Sequence, residues 1–337
     1  MTAGVRATAE PRIERDITLQ FRADWGQANM TRICGWLAQE IGDRSGVGSR
    51  FATWAGRGGR DQTDALLAGE VDITVMTPAA AVRLVFDGSG PIGVGPQPNL
   101  RALGSIAHRD RLVIAVDASL PVHTVADLAK VADQLVVATC AEDGINTIGM
   151  AAHHGLRLAG ADPQTLVANG ARFAYWERPF PALHAFTTGQ TNVLINEAIM
   201  MPVWQQIANR RPVRYLDWGD EVIDGFAEFG WGAATVDAGY LPGLESDLRT
   251  LDFADLVVLC RDDLPDDIAY LATWCMVQQR KALEAQYMHM APDHTPVGYP
   301  LDPATMAKTP VPLHRAAQRA YADLAQDKPA TDGLIWS

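Results

Sequence analysis

Residues Gly69–Ala81 read GEVDITVMTPAAA. A short apolar run, Val71 to Met76, stops at Thr77-Pro78 and passes into alanines. Proline suits the first turn of a helix, where its missing N–H would have no partner anyway. The segment therefore reads as a strand-to-helix junction. In open α/β sheets such junctions, at the carboxyl ends of strands, form the ligand crevice. Thr77, Pro78 and the free N–H groups of Ala79 and Ala80 are expected to border it.

The same unit repeats outward from this point. Upstream, RDITLQF (15–21) alternates as a strand does, RADWGQANM (22–30) is a polar loop, and TRICGWLAQEIG (31–42) places Ile33, Trp36, Leu37 and Ile41 at helical spacing. SRFATWAG then reads as a strand, GRGGR as a loop, and DQTDALLAGE as a short helix with Asp61 at its N-cap. Downstream come the strand DRLVIAVDA, the helix TVADLAKVAD opened by Thr124, and a second α/β run, QLVVATC, AEDGIN and TIGMAAHHGLRLAG. NVLINEA and ADLVVLCRDDLP are further strands, and one long helix is expected over 266–290.

Bulk properties narrow the function. With 337 residues, two domains are the starting expectation. Its composition, 48% hydrophobic and 20% charged, is that of a folded chain with a sizeable core. A net charge of −12 lacks the basic footprint of a nucleic-acid or anionic-membrane binder. Cys34, Cys140, Cys260 and Cys275 are widely spaced, with no zinc pattern among them, and Cys34, Cys260 and Cys275 read as core fillers. No stretch approaches a membrane span, and MTAGVRATAEPRIERDITLQF lacks the apolar centre of a secretory signal. As it stands the sequence predicts a cytoplasmic protein, or a periplasmic or extracellular one should a signal have been removed or lie upstream.

The order of segments resembles the TAXI group of TRAP-transporter solute-binding proteins. LLAGEVDITVM, FDGSGP with NLRALGSI, LVIAVDASLPVHTVADLAK, TVDAGYLPG with ADLVVLCRDDLPDDIAYLATWCM, and TPVPLHRAAQRAY carry the likeness, which spans about 15–323. AEDGINT departs from that family's glycine-serine loop, and HRAA from its His-Pro-Gly-Ala. The resemblance implies a two-lobed α/β chain of the type II periplasmic-binding-protein fold, with a ligand cleft between lobes that close by a hinge. Lobe one would comprise 1–116 and 229–337, lobe two 117–228. The connecting strands would lie near 112–117 and within 226–235.

The cleft residues implied are Asp24, Trp25, Gln27 and Asn29 in the first loop, and Arg57, Gly58 and Gly59 in the second. Thr77, Pro78 and Ala79 follow, then Asn146 and Thr147 before a lobe-two helix, and Asn196 and Glu197 after NVLI. Helix N-termini and an arginine suit a carboxylate, while Asp24, Glu142, Asp143 and Glu197 suit a ligand that also bears a cation or hydroxyls. Arg57 reads equally as a solvated loop charge. In FAYWERPF (173–180), Trp176 and Arg178 either clamp a planar ligand or pack between lobes.

His153 and His154 are adjacent, so they face different ways on a helix and form no metal pair. His314 reads as structural. His184 stays open as a general base. No phosphate-loop or G-x-S-x-G motif is present, and no cofactor is expected.

Two readings follow. The first is a binding protein that captures a small organic acid or amino acid for a membrane transporter, or for a sensor protein. The second is a cytosolic decarboxylase or dehydratase on the same fold, acting on an aromatic or hydroxylated carboxylate, with His184, Glu197 or Asp24 as its acid/base group.

Overall fold

A computed structural model describes residues 10–26, 28–198, 202–326 and 335–336. The strands in chain order are β1 (Arg12–Ile13), β2 (Thr18–Ala23), β3 (Arg50–Ala55), β4 (Ile73–Met76), β5 (Leu100–Ile106) and β6 (Arg111–Asp117). They continue with β7 (Val136–Thr139), β8 (Arg172–Tyr175), β9 (Val193–Glu197) and β10 (Val213–Leu216). The last are β11 (Ala233–Val236), β12 (Leu248–Asp252), β13 (Leu256–Arg261) and β14 (Ile335–Trp336).

Alternation along β2 buries Leu19, Phe21 and Ala23, whereas all four residues of β4 are buried, on both faces. These strands build a five-stranded sheet in the order β3-β2-β4-β13-β5. β2 runs parallel to β3 and β4, and β13 antiparallel to β4 and β5. The helices Asn29–Gly42 and Asp266–Gln278 pack against this sheet through Ile33, Leu37, Leu271 and Cys275. A second sheet runs β11-β12-β6-β9-β7-β8, with β10 also paired to β6. β1 and β14 form a small parallel pair.

Strand membership fixes where the chain crosses between sheets. β6 and β11, in the segments expected to cross, lie wholly within the second sheet. The first crossing is Ala107–Asp110 and the second Phe253–Asp255. The two run side by side: Phe253 N donates to the Asp110 carbonyl at 3.0 Å, and Asp255 N to the His108 carbonyl at 3.0 Å. Asp255 holds a left-handed backbone, φ 67°, which lets its carboxylate accept from His108 N at 3.2 Å.

Buried indoles brace the second sheet. Trp204 Nε1 donates to the Glu197 carbonyl at 2.8 Å, Trp218 Nε1 to Leu112 at 2.7 Å and Trp231 Nε1 to Asp252 at 2.7 Å. Each ring is fully buried, so its one polar atom needs a partner. Trp204 and Trp231 thereby hold the ends of β9 and β12, the ends that reach the site.

Local expectations change in three places. The run over 266–290 breaks at Gln279 (φ −98°, ψ 8°) into Asp266–Gln278 and Arg280–Ala285. Gly59, not Asp61, caps Arg60–Leu67, because the Asp61 carboxylate is engaged by Arg22 at 2.8 Å and by Arg57 N at 2.9 Å. Pro78 is the N-cap of Ala79–Asp87 rather than its first helical residue, and the Thr77–Pro78 bond is cis. Among the described residues, no helix is long and apolar enough to cross a membrane.

Candidate functional site

Between the two sheets lies a cavity of about 50 Å³. That is several times the space one water needs. Its walls come from three sources: the loops after β2, β3 and β4, the two crossings, and the lobe-two segments at 146–148 and Glu197.

The first wall begins at Asp24, buried at the end of β2. Its Oδ1 accepts from Thr31 Oγ1 at 2.9 Å. Burial raises its pKa, against the opposing pull of the Thr31 hydroxyl and the more distant Arg178 charge. Trp25 Nε1 donates to the Arg57 carbonyl at 2.8 Å and its ring lies against Gly58, so the first two loops brace each other. Asn29 accepts from the Tyr287 hydroxyl at 3.0 Å.

The second wall is the N-terminus of the helix Thr147–Leu158. Asn146 caps it, accepting from Gly149 N at 3.0 Å. Thr147 Oγ1 is buried without a hydrogen-bond partner and Thr147 lines the cavity. A free hydroxyl beside free helix amides is an arrangement that receives an anionic oxygen.

The floor joins the walls. His108 and Glu197 line it, and Asp110 sits just behind. His108 Nδ1 donates to the Pro296 carbonyl at 2.5 Å, which turns Nε2 toward Asp110 Oδ2, 3.5 Å away. Burial disfavours the imidazolium, but the Asp110 carboxylate and the Pro296 carbonyl outweigh it, so the His108 pKa is raised. Asp110 Oδ1 accepts from Arg111 N at 2.7 Å and Ala198 N at 3.0 Å. Because Asp110 bonds the residue after Glu197, the two acids stand near each other. Burial first, then the charge of Asp110 and of Asp24, pushes the Glu197 pKa well above the usual carboxylate range.

The rim is a clasp between lobes. Arg57 Nη2 donates to Asp143 Oδ2 at 2.5 Å, and its Nε to Glu177 Oε1. Arg60 N donates to the Ile145 carbonyl at 2.9 Å. Gly59 has φ +60°, and a Cβ there would stand 2.3 Å from the Ile145 oxygen. Only glycine permits this approach.

Of the residues expected at the cleft, Asp24, Trp25, Asn29, Arg57, Gly58, Gly59, Thr77, Pro78, Asn146, Thr147 and Glu197 line the cavity. Gln27 lies outside the described residues. Others stand elsewhere. Ala79 N donates to the Ala254 carbonyl at 3.0 Å, and Ala79 and Ala80 border a separate surface groove, so that helix N-terminus does not face the cavity. Thr77 Oγ1 is directed to the Phe253 carbonyl at 3.4 Å.

Trp176 packs on the apolar cluster of lobe two, Arg178 is exposed, and Asn196 is fully buried with its Oδ1 accepting from Glu197 N at 2.9 Å. His184 is exposed on the helix Pro179–Thr187, away from the cavity, which removes it as a cleft base. Glu142 pairs with Arg157 rather than facing the cleft. His153 and His154 do diverge, onto Phe173 and Phe226 respectively, and His314 Nδ1 accepts from Ala316 N at 3.2 Å. The cysteines are all free and buried.

Sequence reasoning missed His108, Asp110, Phe253 and Leu256. The available signal was the charged HRDR run, 108–111, wedged between two apolar strands.

Several solved structures resemble this one. "Structure of periplasmic binding protein BugD" aligns at TM-score 0.50 with 11% identity, covering 93% of this chain and 94% of that one. The periplasmic aliphatic sulphonate binding protein SsuA from Escherichia coli aligns at TM-score 0.41 and 16% identity, over 95% of each chain. R. palustris Rpa4515 with adipate aligns at TM-score 0.44 and 14% identity, over 93% and 96% of the two chains. No curated protein sequence matches the chain. The two-sheet α/β architecture is the periplasmic-binding-protein fold. At the level of sequence, residues 32–323 match the NMT1-like family, and the chain belongs to it.

Proposed function

We propose that the protein is a solute-binding protein, in the manner of the TAXI group, that captures a small amino-acid-like carboxylate between its lobes. The observation that carries this is the polarity of the cavity. On one side a helix N-terminus and the unpartnered Thr147 hydroxyl offer donors to a carboxylate. On the other, Asp24 and Glu197 are buried acids whose pKa values burial raises, and a ligand cation would favour their ionised forms. A ligand bearing both charges satisfies both sides. Arg57 has a different part from a carboxylate grip: with Asp143 and Glu177 already on its guanidinium, it fastens the lobes. Its partner would be a membrane transporter, or a sensor protein should the chain stay in the cytosol.

A second reading has a specific observation behind it. Glu197, a buried acid with a raised pKa lining the cavity, is also what general acid catalysis requires. One experiment separates the two. A thermal-shift screen of small amino acids, hydroxy acids and aromatic acids identifies ligands, and mass spectrometry then follows each hit. A stabilising amino acid recovered unchanged supports the receptor. A consumed hydroxy acid would overturn it in favour of an enzyme.

A further inference from the structure

Residues 292–298 run beside the first crossing and then reach past it. Gly298 N donates to the Ala107 carbonyl at 2.8 Å, and the Pro296 carbonyl accepts from His108 Nδ1 at 2.5 Å. Val297, between them, is fully buried in the cluster that packs the five-stranded sheet, so this end belongs to lobe one. A few residues earlier the same segment meets lobe two. The Asp293 carbonyl accepts from the Tyr240 hydroxyl at 2.7 Å, and His294 Nδ1 accepts from Gln205 Nε2 at 3.1 Å. The His294 and Tyr240 rings lie 4.8 Å apart. Tyr240 packs on the lobe-two cluster, and Gln205 follows Trp204, whose indole holds the end of β9.

We propose that this segment is a latch. Its outer end, Asp293 and His294, grips lobe two and holds the lobes closed in the empty protein. Its inner end, Pro296, stays on His108 whether the lobes are closed or parted.

Burial decides which end lets go. Thr295, Pro296 and Val297 are buried, His294 is half-buried and Asp293 is exposed. Water can replace the partners of the outer contacts, so those contacts break at small cost. His108 is almost wholly buried, and Nδ1 would be left dry and unpaired if Pro296 withdrew, which costs more. Rotation of the lobes about the two short crossings therefore parts the outer contacts first. Beside them lies a surface groove of about 680 Å³, lined by Gln205, Tyr240 and His294 among others, which gives the freed side chains room. Arg109, on the crossing itself, pairs with Asp293 at 3.2 Å, but both side chains are exposed and water screens the pair. The latch does not depend on what the cavity binds, so it stands or falls apart from the function proposed above.

The test uses the full chain with no ligand added. The Arg60 amide donates to the Ile145 carbonyl across the cleft at 2.9 Å, a bond lost whenever the lobes part, so its hydrogen exchange reports opening. His294→Ala removes a hydrogen bond and a ring contact far from that amide, and should speed its exchange roughly two- to tenfold or more. Tyr240→Phe, which deletes only a hydroxyl, should speed it less, and it decides the matter should His294→Ala not fold. The Ala102 amide, bonded to the Pro312 carbonyl at 3.0 Å within lobe one, should exchange at the parent's rate in both variants. The NMR signals of the His108 ring nitrogens, assigned by their loss in His108→Gln, should keep their positions.

Unchanged exchange at Arg60 in the folded variants would overturn the latch, because the lobes would then be held without it. Equal acceleration at Arg60 and Ala102 would also overturn it, by showing that the substitutions loosen the whole fold. Displaced His108 signals would overturn the division into an outer end that releases and an inner end that stays.

Discussion

The floor and the rim of the cleft are built from the same kinds of side chain and behave oppositely. At the rim, Arg57 meets Asp143 and Glu177, all three at least a quarter exposed, and every charge has an opposite partner. At the floor, Asp110 and Glu197 are both buried, with His108 3.5 Å from Asp110. Water screens the rim, so its pairs contribute little and mainly select a closed geometry. Away from water, the floor's carboxyls are costly to ionise. Exposure, rather than residue type, separates the two.

The largest expected effect breaks the floor. A carboxyl whose folded-state pKa is raised holds its proton in the native protein at pH values where the unfolded chain has lost it. Native protein then binds more protons, and stability falls as pH rises from the ordinary carboxylate value, 4.5, toward the raised one. Glu197→Gln removes this. Its unfolding free energy should gain on the parent by up to about 1.4 kcal/mol for each pH unit across that window, read from denaturant melts between acidic and neutral pH. A constant gap would mean that Glu197 ionises as an ordinary carboxyl.

Next comes the contact that lets the rim close. Gly59→Ala adds a Cβ 2.3 Å from the Ile145 oxygen, at a φ of +60°. Strain of about 1–3 kcal/mol in the closed form should weaken alanine binding by roughly five- to a hundredfold and enlarge the particle in small-angle scattering with ligand present. Unchanged affinity would show that the lobes close by another path. Least affected should be Arg57→Ala, since exposed pairs contribute about 0.2–1 kcal/mol each. Its loss of affinity should shrink further as salt is raised. A salt-independent loss would place Arg57 on the ligand itself.

Much of this arrangement was legible in the sequence, and the reason is topological. Strand-then-helix repeats set the loops after β2, β3 and β4 at one edge, so Asp24, Arg57 and Thr77 could be assigned to a common cleft without knowing any contact. Asn146 and Thr147 followed from the same rule in lobe two. What the rule could not supply was direction. Ala79 sits at a strand end as expected, but its N–H turns to Ala254. Trp176 is near the rim in sequence, yet its ring is taken up by the lobe-two core. The floor was the least legible part. His108 and Asp110 lie on a crossing with no helical or strand period of its own, and their proximity to Glu197 depends on long-range strand pairing, as between Leu112 and Glu197. An HRDR run gives charge, not burial, and burial is what makes it matter.

The most direct test of the account compares dissociation constants for L-alanine, propionate and ethylamine, matched in size, at one neutral pH. A cavity with donors on one wall and buried acids on its floor predicts that alanine binds more tightly than either singly charged analogue. Propionate binding as well as alanine would contradict the account, because the floor would then be selecting nothing.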